Sequence, residues 1–468
     1  MLIVIPIEIY SREIEKSIAL ASYLHQKNNI RVVVAEQSLA RRIAISFKDQ
    51  AILIGKQFFT ENNKEIVDVK NLDELLENDV NILYIDEEGG LFLRENSSKN
   101  ELLHLRCRYP FHHIEKSRRK QIKICHWGNM QSDHLNDLNK NFDNYITGPT
   151  FVDCAKIFRE RKKDRISNDP SISFTQSYNE LCNKDFKCDN LFELLDYMSD
   201  KYIKSYSKFD SNLMNELILF GAYNFLLNSK KFSVIKWRPH PSARSKLSIN
   251  HLKKIVHKNG IEAISRPTYH PINSYLCSSD VFLHSGCTTS IQARLLNKQT
   301  IYLRSINPRR ALHIKDEISI SKINNNLIDK IFEISNKEMK ISKDTFSDFT
   351  CNILHNINKN NLYSFSKISQ IIDKFIDEKK LKKHLSDESS ELLNSFDKLS
   401  SYIYTSKFKK KLRRLVPNTK SNLFAKYGLL KFDKINKSDV DLIISKLSDY
   451  LDHKNLSNPY VKDYYVLF

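Results

Sequence analysis

Asn81-Ile82-Leu83-Tyr84-Ile85-Asp86-Glu87-Glu88-Gly89-Gly90 decides how the chain is read: an apolar run that stops abruptly at three carboxylates and two glycines. A short apolar run bounded by turn residues is the pattern of a buried strand. Working outward, Ile122–Cys125 stops at His126-Trp127-Gly128, and Asn144–Thr147 stops at Gly148-Pro149. Toward the N-terminus, Ala51–Ile54 precedes Gly55, and Ile30–Ala35 and Leu2–Ile7 are further β-branched or apolar runs. The intervals carry helical spacing, as in Ile14, Ile18, Leu20, Ala21 and Leu24. Strands alternating with helices predict a parallel sheet with crossover helices.

The same alternation restarts after the charged stretch 159–168, which reads as a linker. Ser171–Thr175, Phe232–Lys236, Val281–His284 and Thr300–Leu303 are its strand candidates. From about Asn324 onward the pattern is helical, highly charged and nearly free of glycine. The expected organisation is α/β: two tandem Rossmann-like domains over 1–158 and 169–323, then a helical, basic C-terminal extension over 324–468. No solenoid period is visible.

Composition excludes several classes. Of 468 residues 41% are hydrophobic, enough for packed cores, so global disorder is out. No uncharged apolar run is long enough to span a bilayer. Met1-Leu2-Ile3-Val4-Ile5-Pro6 meets Glu8, Arg12 and Glu13 at once, which reads as a buried first strand and not as an export leader. The eight cysteines form no C-x-x-C, so reduced thiols in a cytoplasm are expected and a zinc site is not. Glycine is scarce, nine residues against the roughly 7% usual in proteins, so those retained sit where the backbone needs them.

Three clusters carry chemistry. In Asp86-Glu87-Glu88-Gly89-Gly90, crowded carboxylates raise one another's pKa, and one can then act as a general base toward a hydroxyl. In Arg238-Pro239-His240-Pro241, two prolines stiffen an extended loop, so His240 is held ready to bind or protonate a phosphate oxygen. Arg238 or Arg244 can add bidentate contacts. Ser285-Gly286-Cys287-Thr288-Thr289-Ser290, followed by Ile291-Gln292-Ala293, reads as a strand–loop–helix phosphate cradle with Thr288 or Thr289 near the helix start. Each also has a plain reading, as an acidic turn, a proline-rich strand exit or an ordinary helix cap. G-x-S-x-G, a P-loop and G-x-G-x-x-G are all absent.

The motifs in series resemble the bacterial surface carbohydrate biosynthesis protein family over roughly residues 1–310. Ile5-Pro6-Ile7-Glu8 with Ser11-Arg12-Glu13, Tyr84–Gly89, Trp127-Gly128 with Gln131, and Thr147-Gly148-Pro149 with Asp153 carry the first half. Arg238–Pro241 and His284–Ser290 carry the second. The three clusters are also similar to those of GT-B sialyl- and Kdo-type transferases, which use CMP-activated acidic sugars. That resemblance implies a GT-B-like fold and a glycosyltransferase passing an ulosonic sugar from a CMP donor to a glycan or glycolipid acceptor in capsule or lipopolysaccharide synthesis. It implies Glu88 as base, with Glu87 or Asp86 behind it, and His240 assisting departure of CMP. Arg238, His240, Pro241, Ser285, Gly286, Thr288, Thr289, Ser290 and Gln292 would hold the nucleotide. Arg12, Glu13, Gly89, Trp127 and Gly128 would lie on the acceptor side. No metal and no cofactor are expected. Gly148–Asp153 lacks the Asn and Arg of a G-N-P-R-x-D element, and Gln292 stands where many GT-B folds have a ribose-binding Glu.

The charge balance, 74 Lys+Arg against 55 Asp+Glu, asks for an acidic partner. Lys407-Phe408-Lys409-Lys410-Lys411-Leu412-Arg413-Arg414 suits peripheral contact with an anionic inner-membrane surface, although a solvated helical face explains it equally. No motif supports nucleic-acid binding. The rival readings are a polyol-phosphate transferase, a sugar-nucleotide 2-epimerase on the same scaffold, and a non-catalytic glycan-assembly protein.

Overall fold

The computed structural model describes residues 1–55, 61–62, 65–66, 70–86, 108–109, 111, 114–159, 170–175, 211–232, 234–238, 262–263, 271–303, 314, 317–337, 345–381, 393–401, 432, 434–452 and 456–468. Backbone contacts divide the chain into two units. One comprises Met1–Ile157, Ser347–Leu415 and Phe432–Phe468; the other comprises Phe158–Phe346 and Val416–Lys431.

The first unit opens β1 (Leu2–Ile7), α1 (Tyr10–Asn28), β2 (Arg31–Glu36), α2 (Gln37–Phe47) and β3 (Ala51–Gly55). A small hairpin follows, β4 (Glu61–Asn62) and β5 (Glu65–Ile66), then α3 (Lys70–Glu77) and β6 (Asn81–Ile85). After them come β7 (Ile122–His126), α4 (Asn129–Asn139), β8 (Asp143–Ile146) and α5 (Thr150–Phe158). β1 lies between β2 and β3 and pairs with both in parallel, which is why its residues are apolar on both faces. Pro6 is tolerated in this central strand because the ladder to β3 has ended at Val4 opposite Leu53.

The second unit holds β9 (Ile172–Thr175), α6 (Ser211–Asn228), β10 (Ile235–Arg238), β11 (Glu262–Ala263), α7 (Ile272–Cys277), β12 (Val281–His284), α8 (Thr289–Leu295), β13 (Gln299–Leu303), β14 (Ile318–Ile320) and α9 (Asn325–Ser335). Its sheet runs β11-β10-β9-β12-β13-β14, parallel throughout. The core centres on Trp237, stacked 4.5 Å from Phe220 and tilted against Tyr223 at 5.2 Å, with Phe174 edge-on to Tyr223. Both units are Rossmann-like.

The C-terminal third carries α10 (Asp348–Ile353), α11 (Tyr363–Lys379), α12 (Lys437–Leu451), β15 (Tyr460–Val461) and β16 (Tyr465–Leu467). Much of it is helical, as the sequence predicts, but it is not one body beginning at 324. α9 belongs to the second unit, whereas α10, α11, α12 and both strands belong to the first. β16 pairs antiparallel with β2, so the first sheet reads β15-β16-β2-β1-β3-β6-β7-β8. Among the described residues no helix is long and apolar enough to cross a membrane.

Candidate functional site

In open parallel sheets ligands bind at the carboxyl ends of strands, where the strand order reverses. In the second unit the chain moves from β9 out to β10 and β11, then crosses to β12 on the other side of β9. The reversal therefore lies between β9 and β12, and the residues leaving those strands are Thr175 and Ser285-Gly286-Cys287-Thr288. Gly286 has φ +100°, a conformation that costs side-chain-bearing residues strain and glycine almost none. The backbone N–H of Gly286 donates to Nδ1 of His284 (3.1 Å), so the ring proton is on Nε2, which faces Oε1 of Glu317 at 2.7 Å. Both side chains are buried, and together they fix the loop from beneath. Sequence reasoning missed Glu317, which stands 33 residues downstream of its partner in no motif.

The predicted cradle is assembled in part. Residues 286–289 are half-buried between buried neighbours, and Oγ1 of Thr175 lies 3.8 Å from Sγ of Cys287. Thr288 occupies the N-cap of α8 without using its hydroxyl to cap, and Thr289 opens the helix. Ser285 and Gln292 are buried beside them. Ser290, expected as a phosphate ligand, donates its hydroxyl back to the carbonyl of Cys287 at 2.7 Å and serves the turn. Arg238 ends β10 opposite Thr175 and packs its guanidinium 5.6 Å over the ring of Tyr275. Tyr275 in turn donates to the carbonyls of Phe174 (2.7 Å) and Lys236 (3.1 Å), tying β9 to β10 at their exits. His240 and Pro241 lie outside the described residues.

In the first unit the reversal lies between β1 and β3. A cavity of about 30 Å³, room for one water, opens there among Pro6, Glu13, Lys16, Ser17, Gly55 and Thr150. Glu13 accepts from the backbone N–H groups of Glu8 (2.7 Å) and Ile9 (3.2 Å) through Oε2. Arg12 approaches its Oε1 at 3.5 Å. Glu13 thus closes the start of α1 with its own carboxylate.

Of the acidic cluster Asp86-Glu87-Glu88-Gly89-Gly90, Asp86 is the residue that lies within the described residues. It is wholly buried, and Arg108 donates to it through Nε (3.0 and 2.8 Å) and Nη2 (2.6 Å). Both oxygens of the Asp86 carboxylate are thus engaged by one guanidinium fork. Asp86 anchors the corner from which Glu87 and Glu88 depart; those two and Gly89 lie outside the described residues.

Trp127 and Gly128, expected on the acceptor side, receive the returning C-terminal segment. The carbonyl of Trp127 accepts from His355 N–H (3.0 Å), its N–H donates to Gln131 Oε1 (2.6 Å), and its ring meets Phe151 edge-on. A Cβ on Gly128 would lie 2.2 Å from the carbonyl oxygen of Asn352, so only glycine lets α10 come this close. Thr147-Gly148-Pro149 with Asp153 does the same work. Gly148 has φ +74° and leaves no room for a Cβ beside Asn356. Asn356 donates to the carbonyl of Pro149 (3.2 Å) and to Oδ1 of Asp153 (2.8 Å), Phe365 N–H donates to Oδ2 (3.1 Å), and Lys156 reaches the carbonyl of Asn356 (2.8 Å).

Burial pushes the Asp153 carboxyl up to about 6, against the opposing pull of Lys156 and the amide donors. Its folded pKa is above its unfolded one, so the folded state binds more protons between those values. Its contribution is fully present below pH 4 and is lost as pH rises through 6, an effect of about 3 kcal/mol. We expect the stability advantage of wild type over Asp153→Asn to shrink by that order between pH 4 and pH 7.5 in urea titrations. An advantage that stays constant across this range would contradict the assignment.

No protein-family model matches the sequence, and no curated protein does. Among solved structures the chain is similar to Methanocaldococcus jannaschii UDP-GlcNAc 2-epimerase, at 13% identity over 80% of this chain and 100% of that one, with a TM-score of 0.43. It is similar to the wall teichoic acid polymerase TagF at 11% identity, over 81% and 89% of the two chains, with a TM-score of 0.44. An Anabaena protein solved with UDP and glucose matches at 9% identity, over 81% and 100%, with a TM-score of 0.36. All three likenesses are remote.

Proposed function

We propose that the chain is a glycosyltransferase of surface-polysaccharide synthesis that takes an acidic ulosonic sugar from a CMP donor. The observation that supports this reading best is the loop at the strand-order reversal of the second sheet. There a positive-φ glycine, a buried His284–Glu317 pair and half-buried Thr288 and Thr289 meet at the exits of β9 and β12. Backbone N–H groups and hydroxyls at such a point suit a nucleotide phosphate, and Arg238 at the neighbouring strand end suits its charge.

In the reaction, Glu88, with Glu87 as the alternative, takes the proton of the acceptor hydroxyl. The hydroxyl oxygen forms the bond to the anomeric carbon as the bond from that carbon to the CMP phosphate oxygen breaks. The electron pair leaves with CMP, and the charge gathering on its phosphate is met by His240 and the Thr288–Thr289 turn. Asp86 holds its place through the ion pair with Arg108. The substrate is the acidic sugar nucleotide, and the acceptor is a glycan or glycolipid.

Thermal-shift measurement against CMP, CDP and UDP tests the donor. A ligand at a hundred times its Kd stabilises the native state by about 2.7 kcal/mol. CMP should give the largest shift, and incubation with CMP-linked donors should yield an extended acceptor. A larger shift with UDP, together with interconversion of a UDP-sugar, would replace this reading with the epimerase. A larger shift with CDP would point to polyol-phosphate transfer.

A further inference from the structure

At the end of the first unit, three lysines surround a cavity of about 410 Å³: Lys434, Lys437 and Lys462, with Asp463 the acidic group in its wall among the described residues. The three lysines are exposed, whereas the backbone beneath them is pinned. Ile435, itself buried, donates its N–H to the carbonyl of Asp463 (2.7 Å), and Lys462 N–H donates to the carbonyl of Tyr465 (2.9 Å). Asn436 N–H donates to the Tyr10 hydroxyl (3.0 Å), which donates to Asp439 (2.7 Å). Lys462 also carries its ammonium 5.4 Å over the ring of Tyr460. The result is a concavity with a hydrogen-bonded backbone and exposed cations on its rim, the reverse of a lysine run on a free helical face.

The sequence leading up to Lys437 indicates the kind of anion. Residues 407–437 hold eleven Lys or Arg and a single acid, Asp433, a net of 11 − 1 = +10 out of the +19 of the whole chain. Interleaved with them are Phe408, Leu412, Leu415, Phe424, Leu429 and Leu430. A track for a free polyanion needs cations alone, whereas cations alternating with large apolar side chains suit the boundary between headgroups and acyl chains.

We propose that the Lys434–Lys437–Lys462 pocket receives the phosphate headgroups of anionic phospholipid and docks this end of the first unit on an acidic bilayer. The proposal does not depend on which sugar or nucleotide the second unit takes. Each cation close to an anionic leaflet adds roughly 1 kcal/mol, so three together set about a hundredfold in partitioning.

The test is co-sedimentation of the full chain with vesicles of phosphatidylcholine alone and of phosphatidylcholine mixed with phosphatidylglycerol. Wild type should bind the mixed vesicles, ignore the neutral ones and detach as salt is raised. The K434Q/K437Q/K462Q variant should bind the mixed vesicles about a hundredfold more weakly while melting at the wild-type temperature, because all three side chains stand in solvent. Equal binding by the variant and wild type, or failure of wild type to distinguish the two vesicles, overturns the proposal. So does stabilisation of wild type, but not of the variant, by millimolar inorganic phosphate without vesicle binding, since the pocket would then serve a free phosphate.

Discussion

Replacing Arg108 with alanine is expected to lower the stability of the first unit by about 3–5 kcal/mol, because it leaves Asp86 as an uncompensated charge in the interior. Asp86 is fully buried and Arg108 is 6% exposed, so water has little access to take the guanidinium's place. Lysine at this position should recover little, since a point charge cannot reproduce the fork that Nε and Nη2 present to one carboxylate. Asp86→Asn combined with Arg108→Met should recover more than either single change, because neither charge is then stranded. The chain has two tryptophans, Trp127 in the first unit and Trp237 in the second. Urea unfolding followed by Trp127 fluorescence in a Trp237→Phe background therefore reads the first unit alone. Coincident unfolding curves for the alanine variant and its parent would rule out the stranded-charge account.

Gly286→Val should weaken CMP binding by about ten- to a hundredfold while the Trp237 signal still reports a folded second unit. At φ +100° a β-branched residue costs on the order of 1–3 kcal/mol in strain, and the loop will relax to shed it. Relaxation breaks the Gly286 N–H bond to His284 and swings Thr288 away from the exits of β9 and β12. Hydrogen bonds to a charged group are worth about 1.5–3 kcal/mol each, so losing one accounts for the whole expected change. Glu317→Gln should cost less, since an amide can still accept from Nε2 of His284. Titration calorimetry with CMP measures both, and wild-type affinity in the valine variant would remove this loop from the nucleotide site.

The strands that frame both sites were readable because each is a short apolar run stopped by a carboxylate, glycine or hydroxyl cluster. Val281–His284 and Asn81–Ile85 fall where that pattern puts them. Motif chemistry was harder to read. Trp127-Gly128 is expected on the acceptor side and Thr147-Gly148-Pro149 with Asp153 is only part of a family resemblance, yet their partners are Asn352, His355, Asn356 and Phe365, some two hundred residues away. A glycine kept for a passing helix is indistinguishable, in sequence, from one kept for a substrate. Arg108 was equally invisible, being 22 residues from Asp86 and in no periodic relation to it. The closing strand β16 has only three residues and matches β2 through backbone bonds that leave no trace in side-chain pattern.

That closing strand bears on how the protein is made. Tyr465 pairs with Ala35, so the edge of β2 waits for residues translated about 430 positions later. Throughout synthesis the nascent chain presents β2 as an open β edge, the kind of surface that recruits other strands. Closing so long a loop is slow, which leaves a window for chaperone capture. A chain ending before Tyr465 would carry that open edge permanently.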